Sequence, residues 1–463
     1  MTDLALSSLA AAAVHPDPAF PRFHPRPARG WINDPNGISY INGRYHVFFQ
    51  YNPESARHRQ IQWGHVSSAD LVHWEEHPVA LSPQPGGPDS AGCWTGVVTS
   101  DGGVPTAAYS GVRDHGGHSQ VVIARGSLDL VTWKQDGHVA ASMPADPLVT
   151  AVRDPFIFHF NGARYAVQGA GLADGRAALL LYTVESLDDW KYQGIWLTSA
   201  DPVAAAFAPA EIWECPQLVQ VPSSSGSAWV MMFSLWLSGD DHEHANGVGH
   251  LVGSLSADPV SGLPVFTPSS GGKSDFGKDF YAPQVVQLSV GSTPKALLWG
   301  WANEGPGRDG RRGRTQEEID DAGWSGVLTH PRLLSVVDGE LVVSPVPEID
   351  AYRGSLVASG VSAAVEVPGF AEVRVTGSVV TGSAGIVELA LVSGAGDAAQ
   401  VVYSGSVAAG EELRIFVDAS LVEVYRAGSV ATTLRAYPAP DELWQLTLPK
   451  GATADVWELT LPE

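Results

Sequence analysis

A strand–turn–strand unit returns at intervals of about sixty residues, and few folds accommodate such a period. Residues 38–41 are β-formers, followed by Asn42-Gly43 and then Arg44-Tyr45-His46-Val47-Phe48-Phe49-Gln50. Phe156-Ile157-Phe158-His159-Phe160, Asn161-Gly162 and Ala163-Arg164-Tyr165-Ala166-Val167 repeat the scheme. Asn-Gly between two β-type runs favours a two-residue hairpin, because both residues accept the positive φ that the tight turn requires. Residues 217–221 and 229–233 flank a Ser/Gly turn, residues 284–288 and 295–299 form a further pair, and Cys93-Trp94-Thr95-Gly96-Val97-Val98 starts another copy. A second marker keeps the same period: Asp70-Leu71-Val72-His73-Trp74 returns 59 residues later as Asp129-Leu130-Val131-Thr132-Trp133, and Trp190 follows Trp133 after 57.

Unit starts near 34, 94, 154, 214 and 281 predict five blades of a β-propeller, each a small antiparallel sheet around a central axis. After Pro345-Val346-Pro347 the texture changes to clean alternation, as in Ala371-Glu372-Val373-Arg374-Val375 and Leu413-Arg414-Ile415-Phe416-Val417. Alternation broken by small-residue turns reads as an antiparallel β-sandwich. The expected architecture is all-β, with a five-bladed propeller over 20–347, a linker at 348–358 and a C-terminal sandwich over 359–463.

Composition excludes several classes of partner. Lys+Arg of 27 against Asp+Glu of 50 gives a net charge of −23, which repels nucleic acid and anionic membranes and suits a neutral substrate. No apolar run is long enough to span a bilayer. The N-terminal stretch carries Asp3 where a secretory signal wants Lys or Arg. Two cysteines, Cys93 and Cys215, are too few for a disulfide framework, so a reducing, cytoplasmic setting is expected. Asp240-Asp241-His242-Glu243-His244 reads as a solvated polar loop, with no metal expected. The basic run Arg308-Asp309-Gly310-Arg311-Arg312-Gly313-Arg314 reads as an exposed loop, or as a subunit contact if the protein is a homo-oligomer.

Three acids stand on the repeat. Asp34 in Asn33-Asp34-Pro35-Asn36-Gly37, Asp154 in Arg153-Asp154-Pro155 and Glu214 in Trp213-Glu214-Cys215-Pro216 are 120 and 60 residues apart. Asp-Pro and Asn-Gly form tight turns unaided. Spaced by whole blades, however, the acids are expected at equivalent positions on innermost strands, converging on one pocket. Carboxylates facing each other there repel, so they persist where the pocket uses them. Convergent carboxylates are the equipment of glycoside chemistry.

These segments, with Gln50-Tyr51-Asn52-Pro53, Gln62-Trp63-Gly64-His65, Asp279-Phe280-Tyr281-Ala282-Pro283, Gly323-Trp324-Ser325-Gly326 and Phe416-Val417-Asp418-Ala419-Ser420, resemble the signature motifs of the family 32 glycoside hydrolases. The resemblance runs from about residue 23 to the C-terminus. It implies a propeller plus sandwich and retaining double displacement on a β-fructofuranosyl unit, without a cofactor. It further implies Asp34 as nucleophile, Glu214 as acid/base, and Asp154 as transition-state stabiliser. Asn33, Gln50, His58, Trp63, Trp94, Thr95, Arg153, Tyr281 and Trp301 would form the sugar shell.

This chain departs from the family at two points: His58 stands where the family often has Trp, and Trp94-Thr95-Gly96 where Phe-Ser-Gly is frequent. The expected activity is hydrolysis of terminal fructose from sucrose and short fructo-oligosaccharides. Fructosyl transfer, exo-inulinase or levanase action, and a non-catalytic carbohydrate-binding protein are the alternatives.

Overall fold

The computed structural model describes residues 8–114, 118–238, 245–290, 293–303, 313–377, 385–393 and 399–462. The acidic loop 240–244 and residues 308–312 of the basic run lie outside them.

The sixty-residue period is a blade. Blade one (30–81), blade two (92–141) and blade three (149–198) are antiparallel meanders in which each strand pairs with the next. Blade four (212–273) repeats this, and blade five (280–345) pairs Phe280–Val290 with Thr293–Ala302, then Arg332–Val337, then Glu340–Pro345. The innermost strands follow one another round the axis, and that of blade five returns to that of blade one. The closure is stitched by residues 324–328: Trp324 and Ser325 pair parallel with Gly30 and Trp31, while Val327 and Leu328 pair with Ala302 and Trp301. Gly326 between them is required. Its φ is 77°, and a Cβ there would lie 1.9 Å from the Ile32 carbonyl oxygen.

The second marker is a turn that opens the outermost strand. Leu71 and Leu130 both take left-handed φ, 67° and 61°. Asp70 Oδ1 accepts from the Val72 and His73 amides, and Asp129 Oδ1 from that of Val131. A short acidic side chain bonding the backbone two residues on holds such a turn. Trp74–Leu81, Trp133–Ala141 and Asp189–Thr198 follow these markers as outer strands.

Residues 348–358, expected as a linker, carry regular structure: a 3₁₀ turn at Pro347–Tyr352 and most of the strand Arg353–Val361. That strand is the edge of a six-stranded sheet, which faces a four-stranded one (Val365–Val367, Glu442–Thr447, Gly385–Ser393, Gln400–Val407) across an apolar core including Val373, Leu389, Ile415, Leu446 and Val456.

Propeller and sandwich share a buried ionic seam. Arg332 of blade five is fully buried, 2.8 Å from Asp275 and 2.6 Å from Glu423 of the sandwich. His24 bridges Asp418 (2.6 Å) and Glu423 (2.8 Å). Burial alone would push the His24 imidazole down, but its two carboxylate partners raise it to about 9. His24, His330 and Glu423 are the one group of potential metal ligands among the described residues. Both nitrogens of His24 are already taken by the ion pairs, and its ring stacks on His330 at 3.7 Å. The cluster works as an interdomain clamp.

Candidate active site

Every innermost strand carries the same irregularity. Between Ile32 and Pro35, Cys93 and Gly96, Arg153 and Phe156, Glu214 and Gln217, and Tyr281 and Gln284, two residues oppose one on the neighbouring strand. Such a bulge kinks the strand and re-aims its side chains. In blades three, four and five the first bulge residue is left-handed: Asp154 at φ 58°, Cys215 at 48° and Ala282 at 49°. Each precedes a proline and donates its amide to the preceding blade. Asp154 bonds Ser110 Oγ at 2.8 Å, Cys215 bonds Asp154 Oδ2 at 2.9 Å, and Ala282 bonds Ser234 Oγ at 2.9 Å. Strained backbone held by cross-blade bonds is how a fold fixes a functional side chain.

The register corrects the expectation of equivalent positions. Glu214 sits just before its bulge, Asp154 is the first bulge residue, and Asp34 is the second. The shared bulge is used at three successive phases, so the acids reach the pocket from different points along their strands.

The three carboxylates are one electrostatic cluster. Burial, opposed by hydrogen bonds and reinforced by the Glu214 charge, pushes the Asp34 carboxyl up to about 6. Burial, then Glu214 and Asp34, push Asp154 up more strongly against the pull of Arg153. Cys215 Sγ lies 3.7 Å from Asp34 Oδ2 and 3.6 Å from Asp154 Oδ2, and burial between these acids keeps its thiol protonated, so it faces both as a weak donor.

Each acid has its own partners. Asp34 Oδ2 accepts from Thr95 Oγ1 at 2.6 Å and Gln50 Nε2 at 2.9 Å, and Oδ1 from Asn33 Nδ2 at 3.1 Å. Glu214 Oε2 accepts from the Tyr281 hydroxyl at 2.7 Å, and Oε1 forms an ion pair with Arg153 Nε at 3.2 Å. Burial, then the Glu214 charge, hold the Tyr281 hydroxyl protonated, the state that donates. Asn33, Gln50, Thr95, Arg153 and Tyr281 therefore stand around the carboxylates.

The rim is aromatic. Trp31 stacks edge-on against Trp301 (5.7 Å) and His58 (6.1 Å), and His58 against Trp94 (5.7 Å). Trp63 is the exception among the residues expected to line the pocket. It is fully buried behind the rim, against Phe48 and Tyr109, and donates its indole N–H to the Trp94 carbonyl at 3.0 Å. Two residues of the quoted motifs gained no role in the sugar shell from sequence: Trp31, whose indole N–H anchors Asn33 Oδ1 at 2.9 Å, and Cys215 as the bridge between Asp34 and Asp154.

Residues 24–345 match the Glycosyl hydrolases family 32 N-terminal domain, and 380–459 match the Glycosyl hydrolases family 32 C terminal. The chain belongs to glycosyl hydrolase family 32. A "Sucrose-6-phosphate hydrolase" of Zymomonas mobilis is 32% identical over 349 residues, 73% of this chain and 64% of that protein. A "Raffinose invertase" of Escherichia coli is 32% identical over 343 residues, 72% of this chain and 66% of that protein. The match spans just under two thirds of these relatives' length. The fold of this family 32 chain superposes on a Bombyx mori GH32 beta-fructofuranosidase with a TM-score of 0.77 at 24% identity, over 97% of this chain and 96% of that one. A sucrose-6-phosphate hydrolase from Lactobacillus gasseri gives 0.78 at 22% identity, over 98% and 95%. Both likenesses support the propeller-plus-sandwich architecture.

Proposed function

We propose that this protein is a retaining β-fructofuranosidase that releases terminal fructose from sucrose and short fructo-oligosaccharides. One observation carries the reading: three carboxylates from three blades meet at one pocket, each with partners suited to a different task. Asp34 attacks the anomeric C2 as Glu214 passes its proton to the leaving glycosidic oxygen, which departs with the bonding electron pair. Glu214 then takes a proton from water, whose oxygen displaces Asp34 and restores the free carboxylate with net retention. Asp154 holds the fructose hydroxyls and stabilises the positive charge developing on the ring. Arg153 and Tyr281 orient Glu214, while Thr95, Gln50 and Asn33 orient Asp34.

The propeller holds the chemistry and the sandwich buttresses it through the ionic seam. A reducing, intracellular setting is part of the proposal, supported by two buried cysteines that form no disulfide. The test is a panel of sucrose, raffinose, kestose, inulin and levan with products resolved. Early release of β-configured fructose, checked by NMR, is the expected result, and inverted product refutes the double displacement. Oligosaccharides growing at high sucrose would instead assign fructosyl transfer.

A further inference from the structure

Gln50 occupies a demanding place. Its amide nitrogen donates to Asp34 Oδ2 at 2.9 Å and to Thr95 Oγ1 at 2.8 Å, and Thr95 donates to the same Asp34 oxygen. A carboxamide can turn over and exchange its oxygen with its nitrogen at little intrinsic cost. Turned over here, it would aim its oxygen at the Asp34 carboxylate and lose both bonds on that side. What fixes the amide from behind thus decides how well the Asp34 oxygen is held.

Two donors converge on Gln50 Oε1: Asn33 Nδ2 at 3.3 Å and His58 Nε2 at 3.3 Å. An amide oxygen only accepts, so the proton between His58 and Gln50 must sit on His58 Nε2. Asn33 is fixed in turn by the Trp31 indole, and His58 sits edge-on against Trp31 and Trp94. The hydrogen bonds therefore run one way, from the pocket rim to Asp34.

We propose that His58 is a positioning residue for the nucleophile: its Nε2–H locks the Gln50 amide in the orientation that presents Nε2 to Asp34 and Thr95. The inference rests on the assignment of Asp34 as nucleophile. His58 stands on the rim rather than against the carboxylates, so its effect passes through Gln50. Both contacts to Oε1 are long at 3.3 Å and have room to shorten in the substrate complex.

The test is a double-mutant cycle on wild type, His58→Phe, Gln50→Ala and the double variant. Phe keeps a ring between Trp31 and Trp94 but carries no donor. His58→Phe is expected to lower kcat on sucrose by about 3–10-fold, the scale of one neutral hydrogen bond, with a smaller change in KM. His58→Gln, which can place an amide N–H near the position of Nε2, is expected to recover most of that loss. In the Gln50→Ala background, adding His58→Phe is expected to lower kcat by less than about 2-fold further, because the group it positions is gone. Full additivity, or an equal loss in His58→Gln and His58→Phe, overturns the proposal. Urea unfolding of the same four proteins reads the His58–Gln50 contact independently of turnover, and additive midpoint shifts there also overturn it. A wild-type protein inactive on sucrose and kestose, with a non-additive urea cycle, would leave the contact standing and sink the fructosidase reading instead.

Discussion

Replacing Asp34 by Asn should abolish activity yet make the folded protein more stable at neutral pH. Burial and the Glu214 charge raise the Asp34 carboxyl from 3.8 to about 6, so the folded state binds this proton more tightly than the unfolded chain does. A carboxyl raised in this way contributes stability that is complete below about pH 3.8 and is lost as pH rises through about 6. The difference corresponds to about 3 kcal/mol, which the partial solvent exposure of Asp34 reduces to about 2. The neutral carboxamide of the Asp34→Asn variant avoids this penalty at every pH. It can keep an oxygen toward Gln50 and Thr95, but then its amide nitrogen meets Asn33 Nδ2 donor to donor, which costs about 1 kcal/mol. The net expectation is about 1 kcal/mol of added stability at pH 7.5 and none, or a small loss, at pH 4. Urea unfolding of both proteins at the two pH values measures it, alongside a loss in kcat of at least ~10²-fold. A variant no more stable than wild type at pH 7.5, or a difference that ignores pH, would refute this account of the cluster.

Three further outcomes follow from other parts of the molecule. Tyr281→Phe removes the hydroxyl 2.7 Å from Glu214 and should lower kcat/KM by about 10–100-fold, as expected for a hydrogen bond to a charged group; steady-state kinetics on sucrose decide it. His46, His65 and His77 form a partly to fully buried cluster in blade one. Burial holds all three below the ordinary 6.5, with His46 at about 4. Bases depressed in the fold stabilise it above pH 6.5, and that stability should fall as pH drops from 6.5 toward 4; His65→Leu should flatten the decline in urea titrations. Arg332→Met leaves Asp275 and Glu423 buried without their shared cation and should cost about 3–5 kcal/mol, read as a lower unfolding midpoint and faster proteolysis between propeller and sandwich.

How much of this was written plainly in the chain depends on the scale of the signal. Blades were legible because a hairpin is local: Asn42-Gly43 and Asn161-Gly162 fix their own turns, and Asp70 and Asp129 bond amides two residues away. The regular structure within 348–358 is not legible because Arg353–Val361 is an edge strand with much of its length exposed, so it lacks the clean alternation of the interior strands. Trp63 was misplaced because a tryptophan beside a signature motif reads the same whether it lines a pocket or props the residue that does. The deepest gap concerns the acids. Even spacing suggested one position repeated, whereas the pairing register staggers Glu214, Asp154 and Asp34 by one residue each across a common bulge. A bulge opposes two residues to one, so each single-residue step along it changes where the side chain points. Three acids at one phase would share one environment, and one set of partners would have to meet their mutual repulsion. The stagger instead gives Asp34 the Thr95–Gln50 donors, Glu214 the Arg153–Tyr281 pair, and Asp154 the Cys215 amide. A repeat that began with five equivalent strands acquires three distinct carboxylates by sliding the same irregularity, and the division of chemical labour proposed for them has its physical origin there.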